Sequence, residues 1–183
     1  MTTFAPVDPA TATGPAADLL VEVKKAFGAT PNMMKAMANS PTLLKAYLSL
    51  SDALSGGVLP AGVRERLAIS TAQYNGCQYC LSAHTFIGGK VAKVDAAELE
   101  HARHAQSSDP HIAALLSLSN SIAREHGNVD ESVLRSARNA GVTEAEIGEV
   151  VGHLAVNVLT NYFNVLARVE NDWPVVDLRQ QAD

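Results

Sequence analysis

A capping side chain followed by a proline, or by an acidic residue three positions on, marks the start of an α-helix. Its oxygen takes one of the backbone N–H groups that the first helical turn leaves unbonded. This chain repeats that signal along most of its length. Ser40 precedes Pro41, Asp95 stands three before Glu98, Asp109 precedes Pro110, Asp130 opens a short segment ending near Gly141, and Thr143 stands three before Glu146. Apolar residues recur at helical spacing near the start, as in Leu19, Leu20, Val23 and Phe27, while strand-like alternation is scarce. The expectation is an all-α bundle of about eight helices. Aromatic residues are only 5% of the chain against 47% hydrophobic residues in all, so its core is built from Ala, Leu, Val and Ile, which suits packed helices.

A length of 183 residues fits a single domain, and neither a solenoid repeat nor a low-complexity linker divides it. Residues 1–15, rich in Pro, Thr and Ala, read as an extended N-terminal arm able to wrap a neighbouring subunit, and residues 16–183 as the helical domain. With 14 basic against 19 acidic residues and no Lys/Arg run, nucleic acid is not an expected partner. The N-terminus has neither a basic start nor an apolar block, and the apolar runs read as too short to cross a membrane, so a soluble, cytoplasmic protein is expected. In that reducing compartment a pair of nearby cysteines serves redox or metal chemistry more often than a structural crosslink.

Both cysteines lie in "NGCQYCLSAH", residues 75–84. Asn75 and Gly76 break the chain, which puts Cys77 at or near the first turn of a new helix, where free amides and the helix dipole favour a thiolate. On that helix Cys77, Cys80, Leu81, His84, Ile87, Gly88 and Val91 share a face, so Cys80 and His84 are i,i+4 neighbours. The preceding helix places Ala61, Glu65, Ala68, Ile69 and Ala72 on one stripe and Val63, Leu67 and Tyr74 on the opposite one. Both faces read as buried. Glu65 among small apolar neighbours suits proton transfer, because poor solvation raises a carboxyl pKa; the competing reading pairs it with Arg64 or Arg66 near the surface. The residues alone leave three uses for the cysteines open: dithiol redox chemistry, zinc with a fourth ligand from Glu65 or His153, and packing as small hydrophobes.

Glu65, eleven residues, then Cys77-x-x-Cys80-x-x-x-His84 resembles the redox centre of the AhpD-like alkylhydroperoxidases in the carboxymuconolactone decarboxylase superfamily, in particular the peroxidase-related branch. The resemblance continues into "HLAVNVLTNYFNVLARVENDWP" and spans roughly residues 20 to 175. It implies an all-helical fold assembled as a homotrimer or homohexamer, and a peroxidase cycle with no metal and no organic cofactor. In that cycle Cys80 attacks an organic hydroperoxide, Cys77 resolves the sulfenic acid to a disulfide, Glu65 and His84 relay the proton, and an external dithiol reductant reopens the disulfide. One position departs from the family pattern: Tyr79 replaces a histidine just before the second cysteine, and on a helix it points about 140° away from His84. Alternative functions are a non-enzymatic redox sensor or zinc-stabilised assembly module using the same cysteines, or decarboxylase-type chemistry on a lactone.

In the last helix His153, Asn157, Asn161, Asn164 and Arg168 form a narrow polar stripe, with Val151, Ala155, Val158, Leu159, Tyr162, Phe163 and Leu166 around it. Amides and an imidazole suit a satisfied internal network or a substrate pocket better than a solvated face, and most of the helix is expected to be buried. His101, His104, His111 and His126 read as surface residues, and Met33, Met34 and Met37 as helix packing or pocket lining.

Overall fold

The computed structural model describes residues 4–179, which form nine helices and no strand. In order they are α1 (Gly14–Phe27), α2 (Asn32–Met37), α3 (Pro41–Ser55), α4 (Ala61–Tyr74), α5 (Gln78–Lys90), α6 (Ala96–Ala102), α7 (Pro110–Glu125), α8 (Glu131–Asn139) and α9 (Glu144–Ala167). The capping residues account for most boundaries. Ser40 accepts from the Leu43 amide, Asp109 from His111 and Ile112, and Asp130 from Ser132. Thr143 and Glu146 form the complete reciprocal box that opens α9.

Asp95 differs from expectation. It makes no side-chain cap bond, and the reciprocal half of the box is missing because the Glu98 side chain is drawn away from the helix start by other donors. Its carboxylate takes Arg66 Nη1 at 3.0 Å, Ser107 Oγ at 2.5 Å and the Ser108 amide at 2.9 Å. Glu98 therefore clamps α6 to α4. His111 also departs from its surface reading: it bridges Ala140 O at 3.1 Å and Glu146 at 2.8 Å, joining α7 to the α8–α9 turn, and that carboxylate raises its pKa.

α4 is the hub, packed against α5, α6, α7 and α9. Val63 and Leu67 on one side and Ala68, Ile69 and Ala72 on the other are all buried, as the two-faced pattern requires. Gly88 of α5 lets Leu99 of α6 pack closely: a Cβ there would stand 2.7 Å from Leu99 Cδ2, and in ordinary contact, 3.5 Å, with Glu65 Cβ of α4. α1 and α2 pack on α3, which in turn packs on α9. Residues of the N-terminal segment lie against their own chain, with Val7 N bonded to Lys35 O and Phe4 stacked on Phe163; residues 1–3 of the expected arm lie outside the described residues. Beyond α9, the chain straps across α5: Asn171 Nδ2 and the Val176 amide both donate to Ser82 Oγ, at 3.2 and 3.1 Å.

α9 corrects two expectations. Its 24 residues are long and apolar enough to cross a membrane by length and composition, although here it packs on α3, α4, α5 and α7. Its sides are also unequal in an unusual sense. His153, Asn157, Asn161 and Asn164 are buried, whereas Val151, Tyr162, Val165 and Leu166 are exposed. The polar stripe faces inward and an apolar stripe faces out.

Candidate active site

The sharp reversal between α4 and α5 turns on Gly76, whose φ of 67° is open to glycine at little cost. It sets Cys77 as the N-cap of α5, where its Sγ accepts the Cys80 amide at 3.3 Å. A side chain folded over the first turn in this way meets the residue three positions on, and the two sulfurs stand 2.7 Å apart as free thiols. From α9, Asn164 Nδ2 donates to Cys80 Sγ at 3.1 Å.

These contacts divide the acidity of the pair. Cys77 is pushed far up because its proton is held in the hydrogen bond to Cys80, with burial and the neighbouring thiolate's charge adding to the effect. Cys80 is lowered to about 7: burial opposes ionisation, but hydrogen bonds from Cys77 and Asn164, the charge of His84 and the Asn161 amide outweigh it. The helix-terminus argument pointed to Cys77 as the activated thiol, and the tertiary contacts assign that role to Cys80. Two sulfurs this close titrate as a unit, with the first proton lost from the pair residing as charge on Cys80.

Glu65 is engaged with neither neighbouring arginine. Arg64 donates to Leu59 O and Arg66 pairs with Glu98, while Glu65 Oε2 lies 2.8 Å from His84 Nδ1. The two side chains are 17% and 26% exposed, so they are shielded yet open to an adjoining space. Burial alone disfavours the imidazolium, but the charge and hydrogen bond of Glu65, helped by Cys80, raise the His84 pKa above its ordinary value. Glu65, His84 and Cys80 thus form a chain of charge-coupled groups across α4 and α5.

All three open onto a cavity of 240 Å³. Its apolar wall includes Phe27, Met33, Met34, Ile87, Val156 and Trp173, so the methionines line the pocket while Met37 is fully buried in the core. Arg64, His153 and Asn157 also reach it. Asn157 Nδ2 is spent on the His153 carbonyl at 2.8 Å, and Asn161 Oδ1 accepts from Asn75 at 3.0 Å. The network is not closed: His153 Nε2 and Asn164 Oδ1 are buried with no hydrogen-bond partner. Tyr79 is buried, its oxygen accepting from the Met33 amide at 3.4 Å, and burial and Asp172 push its pKa well up. It braces α5 against α2 and contributes a ring to the cavity wall.

Two contributors escaped the sequence reading. Asn164 was recognised only as part of a polar stripe, although it touches the sulfur. Tyr47 was not singled out at all; it lines the cavity from α3, hydrogen-bonded with Ser51, and burial together with the charges of Cys80 and Glu65 raises its pKa to about 12. The i,i+4 Tyr47/Ser51 pair of α3 was the available signal. Among the described residues no group of three or more His, Cys, Asp or Glu is arranged to hold a metal ion.

Comparison with known proteins agrees with the family resemblance. Residues 41–117 match the carboxymuconolactone decarboxylase family. A stretch of 93 residues is 30% identical to an alkyl hydroperoxide reductase of Mycobacterium tuberculosis, covering 50% of this chain and 27% of that protein, so the match reaches about a quarter of the relative's length. The fold is that of a peroxidase-related protein with an AhpD core from Ralstonia eutropha JMP134, at TM-score 0.83 and 21% identity over 93% of this chain and 92% of that one. A peroxidase-related protein from Silicibacter sp. TM1040 (TM-score 0.76, 19% identity, 93% and 94% coverage) has the same fold. So does a debrominase solved with 2,3,4-tribromopyrrole (TM-score 0.78, 18% identity, 94% and 92% coverage). The chain thus has an AhpD-like fold, and its residues 41–117 are similar to the carboxymuconolactone decarboxylase family.

Proposed function

We propose that this AhpD-like chain is a thiol-dependent peroxidase that reduces organic hydroperoxides through a Cys77/Cys80 dithiol–disulfide cycle. The observation that carries the reading is the paired thiols, 2.7 Å apart, with the more acidic of them beside the Glu65–His84 pair on a common cavity. A packing role requires no such division of acidity between two sulfurs, and a zinc site requires a ligand cluster that is not assembled among the described residues.

The cycle follows from these positions. Cys80 passes its proton to His84, and Glu65 stabilises the imidazolium. The thiolate attacks the terminal oxygen of the hydroperoxide; an S–O bond forms, the O–O bond breaks, and the departing alkoxide takes the His84 proton to leave as an alcohol. Cys77 then attacks the Cys80 sulfenic sulfur, closing a disulfide and releasing water. An external dithiol reopens the disulfide by exchange, becoming oxidised itself while both cysteines regain their protons. Tyr79, buried and held by α2, has no part in the relay. This chemistry needs no bound metal or organic cofactor, and it suits a reducing cytosol, where dithiols are available.

The outward apolar stripe of α9 supports a homo-oligomer, trimer or hexamer, in which a second copy covers Val151, Tyr162, Val165 and Leu166. The peroxidase reading is tested by mass spectrometry after one equivalent of an organic hydroperoxide, with a sulfenic-acid trap present. The wild type is expected to close the Cys77–Cys80 disulfide and to turn over with added dithiol, which a non-catalytic sensor does not do. Cys77→Ser is expected to hold the trap on Cys80, and Cys80→Ser to consume no hydroperoxide. A trap adduct on Cys77 in Cys80→Ser would reverse the two roles, and no oxidation of any of the three proteins would end the reading.

A further inference from the structure

The chain contains only four Phe, four Tyr and one Trp, yet Phe27, Tyr47, Tyr79 and Trp173 all line the cavity that reaches Cys80. Rings are not this protein's general packing material, since its core is mostly Leu, Met, Val and Ala. Aromatic walls in an aliphatic protein favour a ring-bearing ligand through edge-to-face and offset contacts that add to area burial. The size agrees: an apolar cavity of about 150 Å³ accepts benzene, and 240 Å³ leaves room for substituents on one ring.

The opposite end of the cavity adds a polar requirement. Asn164, which touches the Cys80 sulfur, and His153, which lines the cavity, are eleven residues apart on α9, a rise of roughly 16 Å along the helix. His153 is 7% exposed and its Nε2 has no partner. Burial and the charge of Arg64 depress its pKa, so the imidazole is neutral and has one N–H to give. With that N–H on Nε2, a buried donor beside the cavity is costly unless a ligand supplies an acceptor.

Resting on the peroxidase reading, we propose that the substrate is a monocyclic aromatic hydroperoxide whose ring carries an oxygen acceptor, carbonyl or carboxylate, at the end remote from the peroxide. The ring lies among Phe27, Tyr47, Tyr79 and Trp173, the peroxide meets Cys80, and the remote oxygen is received by His153 Nε2 with Arg64 beside it.

The binding half of this assignment is measurable without turnover. Trp173 is the only tryptophan of the chain and lies in the cavity wall, so its fluorescence reports occupancy by the unreactive alcohols that correspond to each hydroperoxide. Cumyl alcohol, its 4-acetyl and 4-carboxy derivatives, tert-butyl alcohol and a long-chain hydroxy fatty acid are the probes. At least one acceptor-bearing arene is expected to bind about tenfold or more tighter than cumyl alcohol, the range of a hydrogen bond from a buried polar group, and cumyl alcohol tighter than tert-butyl alcohol. That substituent advantage is expected to fall to about one in His153→Leu and to be partly restored in His153→Gln, which keeps an N–H donor. Equal affinity for cumyl and tert-butyl alcohols, preference for the fatty acid, or an advantage that persists in His153→Leu would overturn the proposal. Selective binding with no reduction of the matching hydroperoxides would leave the ligand class standing and end the peroxidase reading instead.

Discussion

Asn164 offers the sharpest test of how this fold activates a thiol. Its Nδ2 donates to Cys80 Sγ at 3.1 Å from a buried position on α9, and its Oδ1 has no partner. Asn164→Leu removes the donor while keeping the branching and number of side-chain heavy atoms, and takes an unpaired buried oxygen with it, so the fold is expected to survive. A hydrogen bond to a charged group contributes about 1.5–3 kcal/mol, and one pKa unit corresponds to about 1.4 kcal/mol. Losing the bond therefore raises the Cys80 pKa by about 1–2 units from its value of about 7. At pH 7 the thiolate share drops from about one half to between about 1% and about 10%, slowing alkylation by roughly 5- to 50-fold. Cys77 still donates to Cys80 and Asn161 still acts on it, which places the expected effect near the lower end, about tenfold. The assay is iodoacetamide labelling of Cys80 from about pH 5 to about pH 10, read by peptide mass spectrometry. The wild type should reach half its plateau rate near pH 7, since a thiol of lowered pKa gains reactivity as pH rises through that value. The variant should need a higher pH and converge on the wild type where both are fully ionised. Coincident midpoints would refute the idea that the α9 amide sets the acidity of Cys80.

Glu65→Gln should keep the helical content while slowing hydroperoxide reduction by about 10²-fold, the usual scale for a general acid–base group; an unchanged rate would make Glu65 a packing residue. In the same variant the His84 midpoint, followed by NMR, should fall, because the carboxylate is what holds the imidazolium stable against burial. Light scattering at micromolar concentration should find a trimer or hexamer, and Leu166→Glu, which puts a charge on the exposed stripe of α9, should dissociate it; a stable wild-type monomer would refute the assembly.

Local chemistry in the sequence was enough to predict most helices and the grouping of Cys77, Cys80 and His84. Ser40, Asp109, Asp130 and Thr143 start helices through bonds that span two or three residues, so their effect is written within reach of themselves. Cys77, Cys80 and His84 share a helix face by periodicity alone. Glu98 was illegible for the complementary reason: the donors that pull it from its own helix start come from Arg66 on α4 and from the loop after α6. The acidity of the thiols was decided the same way. A helix terminus acts on whatever stands at its end, which favoured Cys77, but acidity follows the sum of all donors and charges, and Asn164 and Asn161 reach Cys80 from α9, some eighty residues along the chain. The pairing of Glu65 with His84 joins α4 to α5 across 19 residues, a contact that neither helix encodes by itself. The pattern of α9 pointed its amide stripe inward but could not say which apolar side stays exposed, since an amide stripe and an apolar stripe are both burial signals. Packing settled it by turning the amides toward the thiols and leaving the apolar side exposed, because only groups that bond a neighbour's sulfur or line a ligand's cavity repay the desolvation of burying them, whereas an apolar stripe can be covered by any surface that fits.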